Sequence, residues 1–198
     1  MGISSSLNEI TMIYEAKTDE KEIRLFGDDF VKQNESNCRL NINGKNKKLI
    51  SVIKIQNEKT IKVILKENKT ITDMKYMFKE CSSLVSISGF SQWNIINVTN
   101  IHGIFYNCSS LKELSDISKW DTSNITDMGM AFRGCCSLLT FPDISNWNIS
   151  KVNNISFVFC DCSSLKYLPN ITKWNTSNVT QINRIFSNCS SLISLPDI

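Results

Sequence analysis

The sequence is short of several features that would point directly to a function. It has one His, three Pro and seven Gly in 198 residues, and its net charge is only +3. Such sparse glycine leaves no glycine-rich loop of the kind that binds phosphate groups. The small net charge does not predict a nucleic-acid binder, and no apolar run approaches the roughly 18 residues of a membrane-spanning helix. The composition therefore predicts an ordinary globular protein, with no nucleic-acid partner and no integral membrane segment.

The N-terminal residues bear on where the protein is located. No basic stretch followed by an apolar block is present, so the segment does not predict a secretory signal, and we expect a cytoplasmic protein. Residues 1–6 also fit the N-myristoylation pattern, with Gly2 as the acceptor. Membrane association through that lipid is one alternative. Exposure at the cell surface is the other, if a leader is missing from the sequence.

The composition changes near residue 70. Residues 1–70 carry 13 Lys and Arg and 10 Asp and Glu, whereas residues 71–198, a longer stretch, carry nine of each. Alternating segments at 11–16, 22–26, 38–43, 48–55 and 60–66 predict strands in the first part, with a hairpin turn at Asn43-Gly44. We therefore predict an N-terminal β-rich capping segment over residues 1–70. A separate recognition domain is the alternative.

Residues 71–198 contain a sequence repeat, and the sequence ends in mid-repeat. Four residue types recur at every 27th position without an insertion. They are Trp93, Trp120, Trp147 and Trp174; Cys81, Cys108, Cys135, Cys162 and Cys189; Phe78, Phe105, Phe132, Phe159 and Phe186; and Leu84, Leu111, Leu138, Leu165 and Leu192. A period between about 20 and 50 residues is typical of stacked repeat proteins.

Each unit predicts one short helical turn and one short strand. The apolar residues between Ile125 and Phe132 are spaced by three and four positions, which favours a helical turn, and Thr126 is placed to cap it. The following Cys-Ser-Ser-Leu-x-x-Leu is too short for a helix and predicts a strand. A strand and a helical turn in every unit are typical of leucine-rich-repeat proteins.

Two segments resemble a known family. Residues 105–111 (Phe-Tyr-Asn-Cys-Ser-Ser-Leu) and 174–180 (Trp-Asn-Thr-Ser-Asn-Val-Thr) are similar to the BspA-like leucine-rich repeats of bacterial surfaces, mycoplasma lipoproteins and protist expansions. The resemblance covers residues 70–198 and implies a right-handed solenoid used for binding, without catalytic residues. The expected fold class is thus an α/β repeat: a leucine-rich-repeat-type solenoid of about five 27-residue coils with an N-terminal β-rich cap.

The cysteines and the histidine do not predict chemistry. Five of the eight Cys are the periodic ones, which favours a ladder of buried, reduced thiols. The extra thiols Cys136 and Cys160 give no common zinc spacing, and the lone His102 supplies no ligand set. We interpret His102 as a solvated surface residue. The sequence therefore predicts no metal, no cofactor and no enzymatic activity.

The two middle residues of each Leu-x-x-Leu differ from unit to unit while the frame stays constant. Variable side chains on a regular face are what a recognition surface needs, although unconstrained surface positions would vary in the same way. We predict a protein-binding module whose partner has an unknown identity; a surface-exposed adhesin is the alternative. A further expectation is self-association through the C-terminal unit. The predicted contact residues are Val85, Lys112, Glu113, Leu139, Thr140, Lys166, Tyr167 and Ile193.

Overall fold

A computed structural model describes residues 8–194. Within them, all regular secondary structure lies before residue 93. In chain order the elements are β1 (Glu9–Glu15), β2 (Glu22–Arg24), α1 (Asp28–Asn34), β3 (Cys38–Ile42), β4 (Lys45–Lys48), β5 (Val52–Lys54), β6 (Thr60–Glu67), β7 (Leu84–Ser88) and a 3-10 helix (Phe90–Gln92).

Five of the strands form an antiparallel sheet in the order β4-β3-β6-β1-β7, and β2 pairs with β5 in a second, two-stranded sheet. The central strand β6 shows why these residues form strands. Ile61, Val63 and Leu65 are buried, whereas Lys62 and Lys66 are exposed and Ile64 is half-buried. This alternation gives the sheet one face for the core and one for solvent.

The predicted hairpin turn at Asn43-Gly44 is confirmed. The two residues join β3 to β4, and Ile42 lies opposite Lys45 in the register. Their φ angles are 49° and 83°. A tight two-residue hairpin of this type requires positive φ at both positions, which Asn and Gly tolerate best.

The large sheet crosses the composition change near residue 70. Strand β7 belongs to the first repeat, and it pairs with β1 so that Met12 lies opposite Ile87. The Phe26 and Phe78 ring centroids are 5.5 Å apart. The N–H of Gly27 donates to the Met77 carbonyl at 2.9 Å. Residues on the two sides of the composition change therefore share hydrogen bonds and one hydrophobic core.

The predicted fold class is wrong. The regular structure of residues 8–194 is mostly antiparallel strand with one α-helix, so it is not an α/β leucine-rich-repeat solenoid. The helical turn expected between Ile125 and Phe132 is absent, and residues 129–134 form turns there. Of the strands expected after the periodic Cys residues, only β7 forms within the described part of the chain.

Backbone geometry explains why the helical turns do not form. Each unit has two residues with positive φ, four positions apart, such as Met130 (57°) and Gly134 (76°). Left-handed residues interrupt a right-handed helix. The N–H groups donate across to the next unit instead: Met128 to the Asn154 carbonyl at 3.1 Å, and Phe132 to the Val158 carbonyl at 3.0 Å. The hydroxyl of Thr126 does not cap a helix but donates to the Thr99 carbonyl at 3.1 Å.

Both backbone bridges and side-chain contacts join successive units. Isolated parallel bridges join residues one repeat apart, from Asp73 with Asn100 to Asn154 with Gln181. The indole N–H of Trp147 donates to the Ile117 carbonyl of the preceding unit at 3.0 Å. Trp120 and Trp174 make the equivalent bonds. The Phe105 and Phe132 rings stack with centroids 5.6 Å apart. The indole N–H groups of Trp120, Trp147 and Trp174 are thus satisfied by the preceding unit, whereas that of Trp93 is buried without a partner among the described residues.

No helix among residues 8–194 has both the length and the apolar character needed to cross a bilayer. The predicted lipid acceptor, Gly2, lies outside the described residues.

Candidate functional site

The Leu-x-x-Leu segments place their middle residues in one row. Leu84, Leu111, Leu138 and Leu165 are buried, which fixes the backbone on either side of each variable pair. The row also has direct backbone bonds. The N–H of Lys112 donates to the Val85 carbonyl at 3.1 Å, and the N–H of Ile193 donates to the Lys166 carbonyl at 3.1 Å. We call this surface the Leu-x-x-Leu row; it comprises the eight predicted contact residues Val85, Lys112, Glu113, Leu139, Thr140, Lys166, Tyr167 and Ile193.

Seven of these eight side chains are exposed. Three of the seven are large apolar groups: Leu139 is 53% exposed, Tyr167 58% and Ile193 65%. Val85 is the exception, because it lies in β7 and is buried. The row therefore has seven accessible side chains, and Val85 is not available for contact.

A groove with acidic residues adjoins the row. Glu113 and Thr140 line a cavity of about 530 Å³ together with Phe141 and the carboxylates Asp116 and Asp143. The side-chain and backbone hydrogen bonds from Ser118 lower the pKa of Asp116, although slight burial opposes this. The bonds from Ser145 lower that of Asp143 in the same way. Both carboxylates are ionised at neutral pH, so the row has lysines along it and a negative groove beside it.

Six of the eight thiols are buried, and Cys136 and Cys189 are partly exposed. All eight Cys are free, and the Sγ of Cys135 lies 3.4 Å from the Phe105 carbonyl, a pattern shared by Cys108, Cys162 and Cys189. Burial raises the pKa of the Cys38 thiol to about 12 and that of Cys160 to about 11. Such thiols are protonated and weakly nucleophilic. Within residues 8–194, no group of three or more His, Cys, Asp or Glu residues is arranged to hold a metal ion.

The prediction that His102 is a solvated surface residue is wrong. Its side chain is only 15% exposed, and its Nδ1 lies 3.1 Å and 3.2 Å from the two carboxylate oxygens of Asp127. The Tyr76 ring meets the imidazole edge-on at 5.4 Å. Burial by itself would raise the pKa of Asp127. The bonds from His102 and from the Gly129 N–H, together with nearby charges, act more strongly in the opposite direction, so the pKa is lowered overall.

Replacing Asp127 with Asn should reduce stability by about 1 kcal/mol at neutral pH, because the imidazole and the Gly129 N–H lose a charged acceptor. Since the folded-state pKa of Asp127 is lowered, its contribution is complete above the unfolded-state pKa and is lost as pH falls through the folded-state value. The difference between wild type and variant should therefore shrink below about pH 4. Urea unfolding of both proteins at several pH values measures this difference in stability. A difference that stays constant down to about pH 2 would contradict the assignment.

A second surface was missed by the sequence interpretation. Tyr76, Lys79, Tyr106, Arg133 and Phe157 are half-buried and lie on the turns that precede the periodic Cys residues. We call them the aromatic–cation surface. The Lys79 Nζ lies 5.1 Å from the centre of the Tyr76 ring. The Arg133 guanidinium lies 5.6 Å from the Tyr106 ring and 5.1 Å from the Phe157 ring. Contacts of this kind between cations and ring faces are attractive.

A signal for this surface was present in the repeat. The residue after each periodic Phe changes in every unit, as the middle residues of Leu-x-x-Leu do. These residues are Lys79, Tyr106, Arg133, Cys160 and Ser187. Variable residues on a constant frame are typical of a recognition surface, so this variation in the turn indicates one as well.

Comparison with known proteins places the repeats in a family. A family model described as "Mycoplasma protein of unknown function, DUF285" matches residues 72–195, which is more than half of the chain. No curated protein sequence matches this chain. No solved structure matches it either.

Proposed function

The chain belongs to the DUF285 family of mycoplasma proteins of unknown function, and we propose from its surface that the repeats form a non-enzymatic protein-binding module. The partner would contact the seven accessible side chains of the Leu-x-x-Leu row. The observation that carries the proposal is the exposure of Leu139, Tyr167 and Ile193 on a buried, regular frame. Exposed apolar groups aligned in this way are typical of protein interaction surfaces.

The chemistry of the row favours a protein as the partner. Tyr167 supplies a large rigid contact area with a polar end, a property that makes Tyr common at the centre of interfaces. Lys112 and Lys166 lie at equivalent positions two repeats apart, and both are exposed. Charges at the rim of an interface steer association and set specificity more than they set affinity.

We further propose that the repeats are of the BspA-like kind. Residues 105–111 and 174–180 support this because they carry the Phe-x-x-Cys-Ser-Ser-Leu and Trp-Asn-x-x-Asn-Val-Thr patterns. A surface adhesin is the second candidate function, and the resemblance of these two segments to repeats of bacterial surfaces favours it. The eight free thiols favour a cytoplasmic protein instead. Protease treatment of intact cells separates the two, because only a surface protein would be cleaved.

Charge reversal at Lys112 and Lys166 tests the proposed surface. Replacing both lysines with Glu should weaken partner binding about tenfold or more. The stability of the protein should change by less than about 0.5 kcal/mol. The partner is first identified by affinity capture from the source cells, and its affinity for each variant is then measured. The matched control is the pair Lys119 and Lys173, which are also exposed and also two repeats apart. Equal weakening by both pairs would contradict a specific role for the row.

A further inference from the structure

Arg133 is held in one orientation from three sides. Its guanidinium lies over the rings of Tyr106 and Phe157, 5.6 Å and 5.1 Å from their centres. Its Nε donates to the Asp161 carboxylate at 3.2 Å. Asp161 is itself fixed, because the side-chain amide of Asn188 donates to its other oxygen at 2.7 Å. An arginine held in this way loses little side-chain entropy when it binds a further group.

The terminal nitrogens of Arg133 have no acceptor in the described part of the chain. Among residues 8–194, hydrogen bonding of this side chain is limited to the Nε donation to Asp161, and the side chain is 30% exposed. Arginine presents its N–H groups as a planar fork that matches the two oxygens of a carboxylate. The terminal N–H groups of Arg133 are therefore available to donate to an acceptor on another molecule.

The backbone around Arg133 follows the pattern that recurs in every described unit. Met130 and Gly134 on the same turn have φ angles of 57° and 76°, and Phe157 and Asp161 on the neighbouring turn have 60° and 63°. Glycine is the least costly residue at such positions, and a bulky aromatic residue there is rare. The strained residue Phe157 is one of the two whose rings contact the guanidinium.

From these observations we propose that Arg133 binds a carboxylate of an acidic peptide segment. The Tyr106 and Phe157 rings provide apolar surface next to the guanidinium. The Asp161 carboxylate balances the positive charge of Arg133. Since the local charge is balanced, recognition depends on the geometry of the fork rather than on general attraction. This position shares no residue with the Leu-x-x-Leu row and does not depend on the function proposed above.

The test uses the whole chain and a hexaglutamate peptide as the probe. Addition of the peptide should shift the side-chain N–H signals of Arg133 in nitrogen-15 NMR spectra, whereas hexalysine should not. The Arg133→Lys variant keeps the charge but loses the fork, and its affinity should fall about tenfold or more. The matched control is Arg184→Lys, because Arg184 is exposed on the turn of the last described unit. The affinity of the Arg184→Lys variant for hexaglutamate should equal that of the wild type.

Three results would overturn the proposal. One is binding of hexaglutamate by Arg133→Lys with the affinity of the wild type. Another is a peptide-induced shift at Arg184 or at the lysines without a shift at Arg133. The third is the absence of any shift on addition of the peptide. Thermal melting of each variant shows whether it is folded, and Arg133→Gln replaces Arg133→Lys if the latter does not fold.

Discussion

Removal of residues 1–70 should abolish the cooperative unfolding of the remaining chain. In the structure these residues supply β1, the pairing partner of β7, and Phe26, which packs on Phe78. Their loss uncovers Phe78, Leu84 and Ile87, all buried in the whole protein. At about 1.5–3 kcal/mol for each large apolar side chain, the loss reaches up to about 5–9 kcal/mol. A typical domain has a stability of only about 5–15 kcal/mol.

The same experiment tests whether residues 1–70 act as a cap. If they do, the shortened chain should aggregate, because an uncovered strand edge pairs with other chains. Supplying residues 1–70 as a separate polypeptide should restore a soluble, cooperatively melting complex. Circular dichroism and size-exclusion chromatography measure both effects. The cap interpretation fails if residues 71–198 alone are monomeric and melt at the temperature of the whole protein.

Trp147→Ala should destabilise the protein by about 3–5 kcal/mol, because it empties a filled position in the core. The side chain is 3% exposed, and its ring stacks on Trp120 with centroids 5.9 Å apart and an angle of 9° between planes. The substitution also leaves the Ile117 carbonyl without the indole N–H that donates to it. Both losses act on the contact between successive units. Urea unfolding of the two proteins measures the difference.

Trp147→Phe separates the two parts of that effect. Phenylalanine keeps an aromatic ring in the stack but has no N–H. The free energy of unfolding of this variant should therefore be about 1–3 kcal/mol lower than that of the wild type. Asn146→Ala is the neighbouring control; Asn146 is exposed, and its replacement should change stability by less than about 0.5 kcal/mol. If Trp147→Ala is as stable as Asn146→Ala, the indole does not hold the units together.

The sequence predicted local features where a short pattern decides the structure. Asn43-Gly44 is a hairpin turn because few other residue pairs accept positive φ at two adjacent positions. The alternation of Ile61, Val63 and Leu65 with polar neighbours defined β6. The periodic Trp and Phe residues up to position 159 are buried, as a constant frame requires.

The sequence did not predict features that depend on backbone geometry. The three-and-four spacing from Ile125 to Phe132 is the same in a helical turn and in the observed series of turns, so it could not distinguish them. Left-handed residues such as Tyr76 and Phe157 give no signal, because bulky residues rarely adopt that conformation. The hydrogen bond between His102 and Asp127 joins side chains in two different units. A pairing across two units cannot be read from neighbours in the chain.

The hydrogen bonds from each unit to the next have a mechanical consequence. A unit such as residues 127–153 keeps its folded conformation because N–H groups on its turn are bonded to the unit that follows, and its indole and thiol groups to the one before. Under tension applied along the chain, such a unit unfolds when either neighbour detaches. Each unit that came loose would release about 90 Å of extended chain. Detachment of one unit would therefore destabilise the next, so the repeats would unfold together rather than in independent steps.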